Sequence, residues 1–221
     1  MTRTRLKVCC IASTNEARCA VARGADAVGL VSAMPSGPGV IEDRVIADIA
    51  ARVPPPVATF LLTSRVDAAS IAAQARAAGV TTVQLVDAVA AHELTALRRE
   101  LPFLRVVQVI HVLDDASVAE AAGALPYVHA LLLDSGNPRL AVKELGGTGR
   151  VHDWALSRRI REAADAAHVP VFLAGGLRAD NVGDAVRAVR PFGVDVCSGV
   201  RTDGRLDPAK LTAFATVVAA A

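Results

Sequence analysis

Residues 169–200 read VPVFLAGGLRADNVGDAVRAVRPFGVDVCSGV. The apolar run from Val169 to Ala174 ends in Gly175-Gly176, a segment with helical spacing runs from Asn181 to Val189, and a second apolar run, Gly193 to Cys197, ends in Ser198-Gly199. Short apolar runs bounded by glycine read as strands buried on both faces, and strand, helix and strand in that order make a parallel pair with a crossover. The pattern recurs upstream. Apolar runs at Leu6 to Ile11, Ala27 to Val31, Val57 to Leu62, Thr82 to Val86, Leu104 to Val112 and Ala130 to Leu133 complete a set of eight. Between them lie Ala-rich segments such as Asn15 to Arg23, Asp67 to Ala78, Ser117 to Ala124 and Asp153 to Ala167.

An open doubly wound sheet and a closed barrel share this alternation. Eight units in 221 residues favour a single (β/α)8 TIM-barrel domain spanning residues 1–221. No Gly-x-Gly-x-x-Gly follows the first strand; the glycines concentrate after strands six, seven and eight, where barrels hold phosphate. The two long connections, Ser32 to Ile41 and Ser135 to His152, both follow strands and so belong on the C-terminal face, where binding and catalysis reside.

Composition narrows the function. The chain is 52% hydrophobic, its net charge is +2, and only 3% of its residues are aromatic. It therefore has neither the basic stripe nor the exposed rings of a nucleic-acid binder. Cys9, Cys10, Cys19 and Cys197 are too few and scattered for a disulfide framework, and no Cys or His spacing suggests a metal. The apolar start is interrupted by Lys7, which predicts no signal peptide, and no stretch approaches the ~20 apolar residues of a membrane span. The expectation is a cytoplasmic protein, monomer or homodimer, with a small-molecule partner, no nucleic acid, no membrane and no cofactor.

Three glycine clusters share one explanation: Gly147, Thr148 and Gly149 after strand six, Gly175 and Gly176 after strand seven, Ser198 and Gly199 after strand eight. Glycine lets backbone N–H groups approach an anion that a Cβ would hold away, and helices beginning near Asn181 and Asp207 add positive dipole ends. The expected partner is a small phosphorylated substrate, bound in the C-terminal half.

In order along the chain, the motifs are Lys7-Val8-Cys9, Ala25-Asp26-Ala27-Val28-Gly29, Val83-Gln84-Leu85, Leu131-Leu132-Leu133-Asp134-Ser135, Gly146-Gly147-Thr148-Gly149, Leu173-Ala174-Gly175-Gly176-Leu177 and Ser198-Gly199-Val200. In this the chain resembles the phosphoribosylanthranilate isomerase family of tryptophan biosynthesis. The resemblance implies a cofactor-free Amadori rearrangement of a phosphoribosyl amine to an aminodeoxyribulose phosphate. It implies Cys9 as the general base at the sugar carbon bearing the 2-hydroxyl, and Asp134 as the general acid at the ring oxygen. A thiol of reference pKa ~8.5 needs positive charge nearby to act as a base, and Lys7, two residues away on the same strand face, supplies it. Strand alternation puts Cys10 on the opposite face, and Cys19 and Cys197 read as core.

The chain departs from the family where the anthranilate ring should bind. The family usually has Gly at Cys10, Thr at Ala12 and His-Gly at Val86-Asp87, and offers an Arg to the ring carboxylate in the second-strand loop, which here reads Pro35-Ser36-Gly37-Pro38-Gly39. Arg65 after strand three is the expected substitute, with His111 and Arg139 as further candidates, while Asp87 carries the wrong sign for an anionic ring. Two alternatives stay open: a related isomerase acting on a phosphoribosyl amine or sugar phosphate without a carboxylate, and a barrel that binds a phosphate ligand without catalysis.

Overall fold

The computed structural model describes residues 3–137, 140, 143 and 150–221. Eight parallel strands close into a barrel in sequence order: β1 (Arg5–Val8), β2 (Ala27–Val31), β3 (Ala58–Thr63), β4 (Thr82–Leu85), β5 (Arg105–His111), β6 (Ala130–Asp134), β7 (Val171–Leu173) and β8 (Gly193–Val196). Closure falls between β1 and β8, where Lys7 pairs with Asp195. The helices α1 (Thr14–Ala22), α2 (Asp43–Ala50), α3 (Ala68–Ala78), α4 (Ala91–Glu100), α5 (Ala116–Ala124), α6 (Trp154–Ala166), α7 (Val182–Val189) and α8 (Pro208–Ala220) follow the strands in turn. A three-residue 3-10 turn, Ser198–Val200, and the hairpin of β9 (Arg201–Thr202) and β10 (Arg205–Leu206) separate β8 from α8. Among the described residues no helix is long and apolar enough to cross a membrane.

Alternation along each strand sorts side chains into two layers. Leu6, Val8, Val28, Leu30, Leu61, Val83, Leu85, Ile110, Leu131, Leu133, Val194 and Val196 face the helices and form the larger core. Residues of the other parity, including Cys9, Val31, Phe60, Leu62, Val107, Leu132 and Phe172, fill the barrel itself. Phe60 meets Phe172 edge to face at 5.9 Å, and Phe172 meets Phe192 in the same way at 5.4 Å, closing the N-terminal end.

Helix starts are set by side-chain caps. Ser13 accepts the Glu16 N–H and the Glu16 carboxylate accepts the Ala12 N–H, a reciprocal cap at α1; Asp67, Asp153 and Asp207 cap α3, α6 and α8. These caps fix where each chain segment leaves the mouth of the barrel.

Candidate active site

The C-terminal mouth holds a cavity lined by Cys9 from the end of β1, Asp134 from the end of β6, Gln84 from β4, Asp195 from β8, and the Gly175, Gly176 and Ser198 loops. Met34, Gly37 and Pro38 of the loop after β2 cover it. A second cavity, of about 620 Å³, opens at the opposite end among Arg3, Arg5, Arg105, Phe60 and Phe192, but contains neither Cys9 nor Asp134.

Cys9 points into the barrel. A Cβ on Gly29 would stand 2.9 Å from Cys9 Sγ and 3.1 Å from Lys7 Nζ, so thiol and ammonium flank the same small residue. Lys7 is fully buried, donates to Asp195 Oδ2 at 2.7 Å, and lies 5.3 Å from the centre of the Phe60 ring. Burial alone would lower the Lys7 pKa, but Asp195 and then Cys9 outweigh it and hold the ammonium above its usual range. Burial pushes the Asp195 carboxyl up and Asp134 adds to this, against the pull of Lys7. At a charge-assisted 2.7 Å the pair is ionised. Asp195 Oδ1 is buried with no hydrogen-bond partner among the described residues, at a residue that lines the cavity.

Asp134 accepts the Ser135 N–H at 2.8 Å and pairs in register with His111. His111 is buried in the barrel wall with Nε2 3.0 Å from Val86 O and does not line the cavity. His152 lies closer to the chemistry: its Nε2 is 2.7 Å from Ser157 Oγ, and a Cβ on Gly175 would stand 2.9 Å from its Nδ1 and 2.2 Å from Ser135 Oγ. Burial pushes the His152 pKa down, against the charges of Asp134 and Asp153.

The β7 and β8 loops are shaped by backbone. Gly175 has φ +84° and faces side chains that leave no room for a Cβ, while a Cβ on Gly199 would meet Leu177 O at 2.0 Å. Only glycine permits this approach of the two loops. Asn181 braces it, accepting from Arg178 N at 2.8 Å and donating to Gly176 O at 3.0 Å. Among the described residues no backbone acceptor takes the N–H groups of Gly176, Leu177, Ser198 or Gly199. Gly147, Thr148, Gly149 and Arg139 lie outside the described residues.

Two expectations are corrected. Cys10 does not point to the helix layer: β1 ends at Val8, and Cys10 takes a left-handed backbone (φ +61°) that breaks the alternation and turns its thiol into the mouth. Cys197 is half-buried and lines the cavity instead of sitting in the core. Arg65 is exposed beyond the end of β3, where its charge acts on Asp67, the cap of α3. Asp87 meets a different cation: Lys143 Nζ, from the loop after β6, lies 2.5 Å from Asp87 Oδ2, and the Lys143 carbonyl accepts from Ser36 Oγ in the loop after β2. Lys143 thus stands on the side of β2 and β4.

The family described as N-(5'phosphoribosyl)anthranilate (PRA) isomerase matches residues 6–217. The chain belongs to the PRA isomerase family. The N-(5'-phosphoribosyl)anthranilate isomerase of Haloferax volcanii is 39% identical over 202 residues, covering 91% of this chain and 86% of that protein. Isomerase 2 of Methanosarcina mazei is 35% identical over 212 residues, covering 95% and 92%. Among solved structures, the isomerase of Thermotoga maritima superposes with a TM-score of 0.80 at 27% identity, covering 97% of this chain and 98% of that one. A PRA isomerase in complex with reduced 1-(o-carboxyphenylamino)-1-deoxyribulose 5-phosphate superposes equally well, at 0.80 and 25% identity over 97% and 98%.

Sequence reasoning passed over Asp195, His152, Lys143 and Arg201. Asp195 carried the same signal as Asp134, an acid inside a buried apolar run. Arg201, 9% exposed, donates to the Cys9 carbonyl at 3.1 Å and to the Cys10 carbonyl, and pairs with Glu16 at 3.4 Å. Nothing local in the sequence announces these contacts, which span more than 180 positions.

Proposed function

We propose that this chain converts N-(5'-phosphoribosyl)anthranilate to 1-(o-carboxyphenylamino)-1-deoxyribulose 5-phosphate, as a single-domain cytoplasmic enzyme, monomer or homodimer. The observation that carries this reading is that Cys9 and Asp134 line one cavity beside the Gly175–Gly176 and Ser198 loops, in a chain of the PRA isomerase family. Asp134 gives its proton to the ring oxygen, the furanose opens, and the amine nitrogen carries the resulting positive charge. Cys9, with Lys7 beside it, takes the proton from the carbon bearing the 2-hydroxyl, and the enol relaxes to the ketose. Gly176, Ser198 and Gly199 hold the phosphate through backbone N–H groups, with Gly175 giving the loop its turn and Gly147, Thr148 and Gly149 completing the cradle. These two transfers give the enol, whose hydroxyl proton then leaves as the carbon bearing the nitrogen takes one up, and no metal or cofactor takes part.

The ring carboxylate is taken by Lys143. Asp87 would repel an anionic ring, but its charge is already shared with that ammonium, which sits on the side of the mouth away from the phosphate loops. His111 supports the wall beside Asp134, and Arg65 plays no part in the pocket. Incubation with phosphoribosylanthranilate, followed by the ring fluorescence and by detection of the aminodeoxyribulose phosphate, tests the reading. Folded protein that leaves the substrate unchanged would overturn it in favour of a phosphoribosyl amine without a carboxylate, or of binding alone.

A further inference from the structure

Three thiols gather at the mouth, and the proposed reaction uses one. Cys10 Sγ lies 2.9 Å from Cys197 Sγ and 3.9 Å from Cys9 Sγ. A disulfide has its sulfurs at about 2.0 Å, so the nearer pair is within roughly 1 Å of bonding distance. The left-handed backbone at Cys10, a conformation unfavourable to any residue with a β-carbon, is what aims its sulfur across to β8. Cys9 stands farther off, with its sulfur against Gly29 and close to Lys7.

We propose that Cys10 and Cys197 form a redox-active dithiol that reacts with a low-molecular-weight disulfide such as oxidised glutathione and closes a reversible bond across the ends of β1 and β8, shutting down the mouth. The two sulfurs have unequal roles. Cys197 is half-buried and lines the cavity; its pKa is pushed down by the bond from Cys10 and, against burial, by the Arg201 guanidinium. Cys10 is buried, and its pKa is pushed up by Cys197, by Cys9 and by burial. The Cys197 thiolate attacks one sulfur of the small disulfide, forming a mixed disulfide and expelling one small thiolate, which is protonated. Cys10 then loses its proton to water and attacks the Cys197 sulfur, expelling the second small thiolate. Two protein thiols are oxidised and one small disulfide is reduced to two thiols. The closed bond ties the neighbour of the proposed base Cys9 to the neighbour of Ser198.

The bond stands apart from the reaction proposed above, whereas its effect on turnover rests on it. The test treats the full reduced chain with oxidised glutathione, traps free thiols by alkylation, and follows intact mass, peptide fragmentation and turnover of phosphoribosylanthranilate together. The expected result is the loss of two hydrogens, a Cys10–Cys197 link, and turnover lowered about tenfold or more, with dithiothreitol restoring it. Cys197→Ser should lose the link and become indifferent to the oxidant, whereas Cys10→Gly should lose the link and stop at the glutathione mixed disulfide on Cys197. In the wild type, a persistent glutathione adduct, a Cys9–Cys10 link, no reaction, or a closed bond with unchanged turnover would overturn the proposal. Reduced protein inactive on the substrate would count against the function alone, and mass and fragmentation would still decide the thiol pair.

Discussion

The loops after β7 and β8 line the cavity on one side of the mouth, the Asp87–Lys143 pair stands beyond β4 on the other, and the two sides are built from different parts of the chain. On the first side the work is done by backbone: Gly175 and Gly199 allow an approach no side chain permits, and Asn181 ties the loop down. On the second side it is done by charge, with Asp87 and Lys143 paired and no arginine in the Pro35–Gly39 loop. A backbone cradle tolerates almost no substitution, because each N–H is aimed by the dihedrals of its neighbours. A charge pair can be rebuilt from any loop that reaches. The difference accounts for a chain that keeps its phosphate side close to the family pattern while its ring side has drifted.

The largest expected effects lie between the two sides. Asp134→Asn or Cys9→Ala should lower kcat by about 10²–10⁴, the usual worth of a positioned acid or base, with KM little changed. Equal losses in KM would make these residues binders. Beneath them, Lys7→Met should leave Asp195 buried without a counter-charge and destabilise the barrel by about 3–5 kcal/mol in urea denaturation. Lys7→Met with Asp195→Leu should recover most of that loss, and a double variant as weak as the single would deny that the pair's charge is the cause.

The backbone side is sharpened by Gly199→Ala, whose Cβ would meet Leu177 O at 2.0 Å. Inorganic phosphate should inhibit this variant about tenfold less well than it inhibits the wild type. The smallest effect concerns the strap behind β1. The Glu16 side chain is only 16% exposed; burial pushes its carboxyl up, but the Leu206 and Ala12 N–H groups and Arg201 pull it below the usual range. A carboxyl lowered on folding adds stability above its unfolded pKa and loses it as pH falls through the folded value. The wild type should therefore exceed Glu16→Gln by about 0.5–1 kcal/mol near neutrality, with the gap closing in acid. Thermal melts across pH that show a constant gap would contradict this.

The barrel was legible because eight strands buried on both faces write continuous apolar runs, and Asp134 because an acid directly after three leucines is costly unless it faces a polar site. Cys10 was misread because alternation holds only while the strand lasts, and β1 ends two residues earlier. Arg65 was named for its place after strand three, and it stands exposed there, where β3 has ended at Thr63 and the chain runs on to the Asp67 cap. Lys143 lies in a long loop whose course no local periodicity encodes. Arg201 and Glu16 meet only because the hairpin of β9 and β10 folds back over α1.

The division of the mouth is tested most directly by comparing phosphoribosylanthranilate with the phosphoribosyl amine of aniline, which lacks the ring carboxylate, in the wild type, Lys143→Ala and Arg65→Ala. The wild type should favour the carboxylated substrate in kcat/KM by about tenfold or more, a difference of about 1.4 kcal/mol. Lys143→Ala should abolish that preference while keeping phosphate inhibition, and Arg65→Ala should leave both as they are. Equal turnover of the two substrates by the wild type, or a preference lost in Arg65→Ala and kept in Lys143→Ala, would contradict the account.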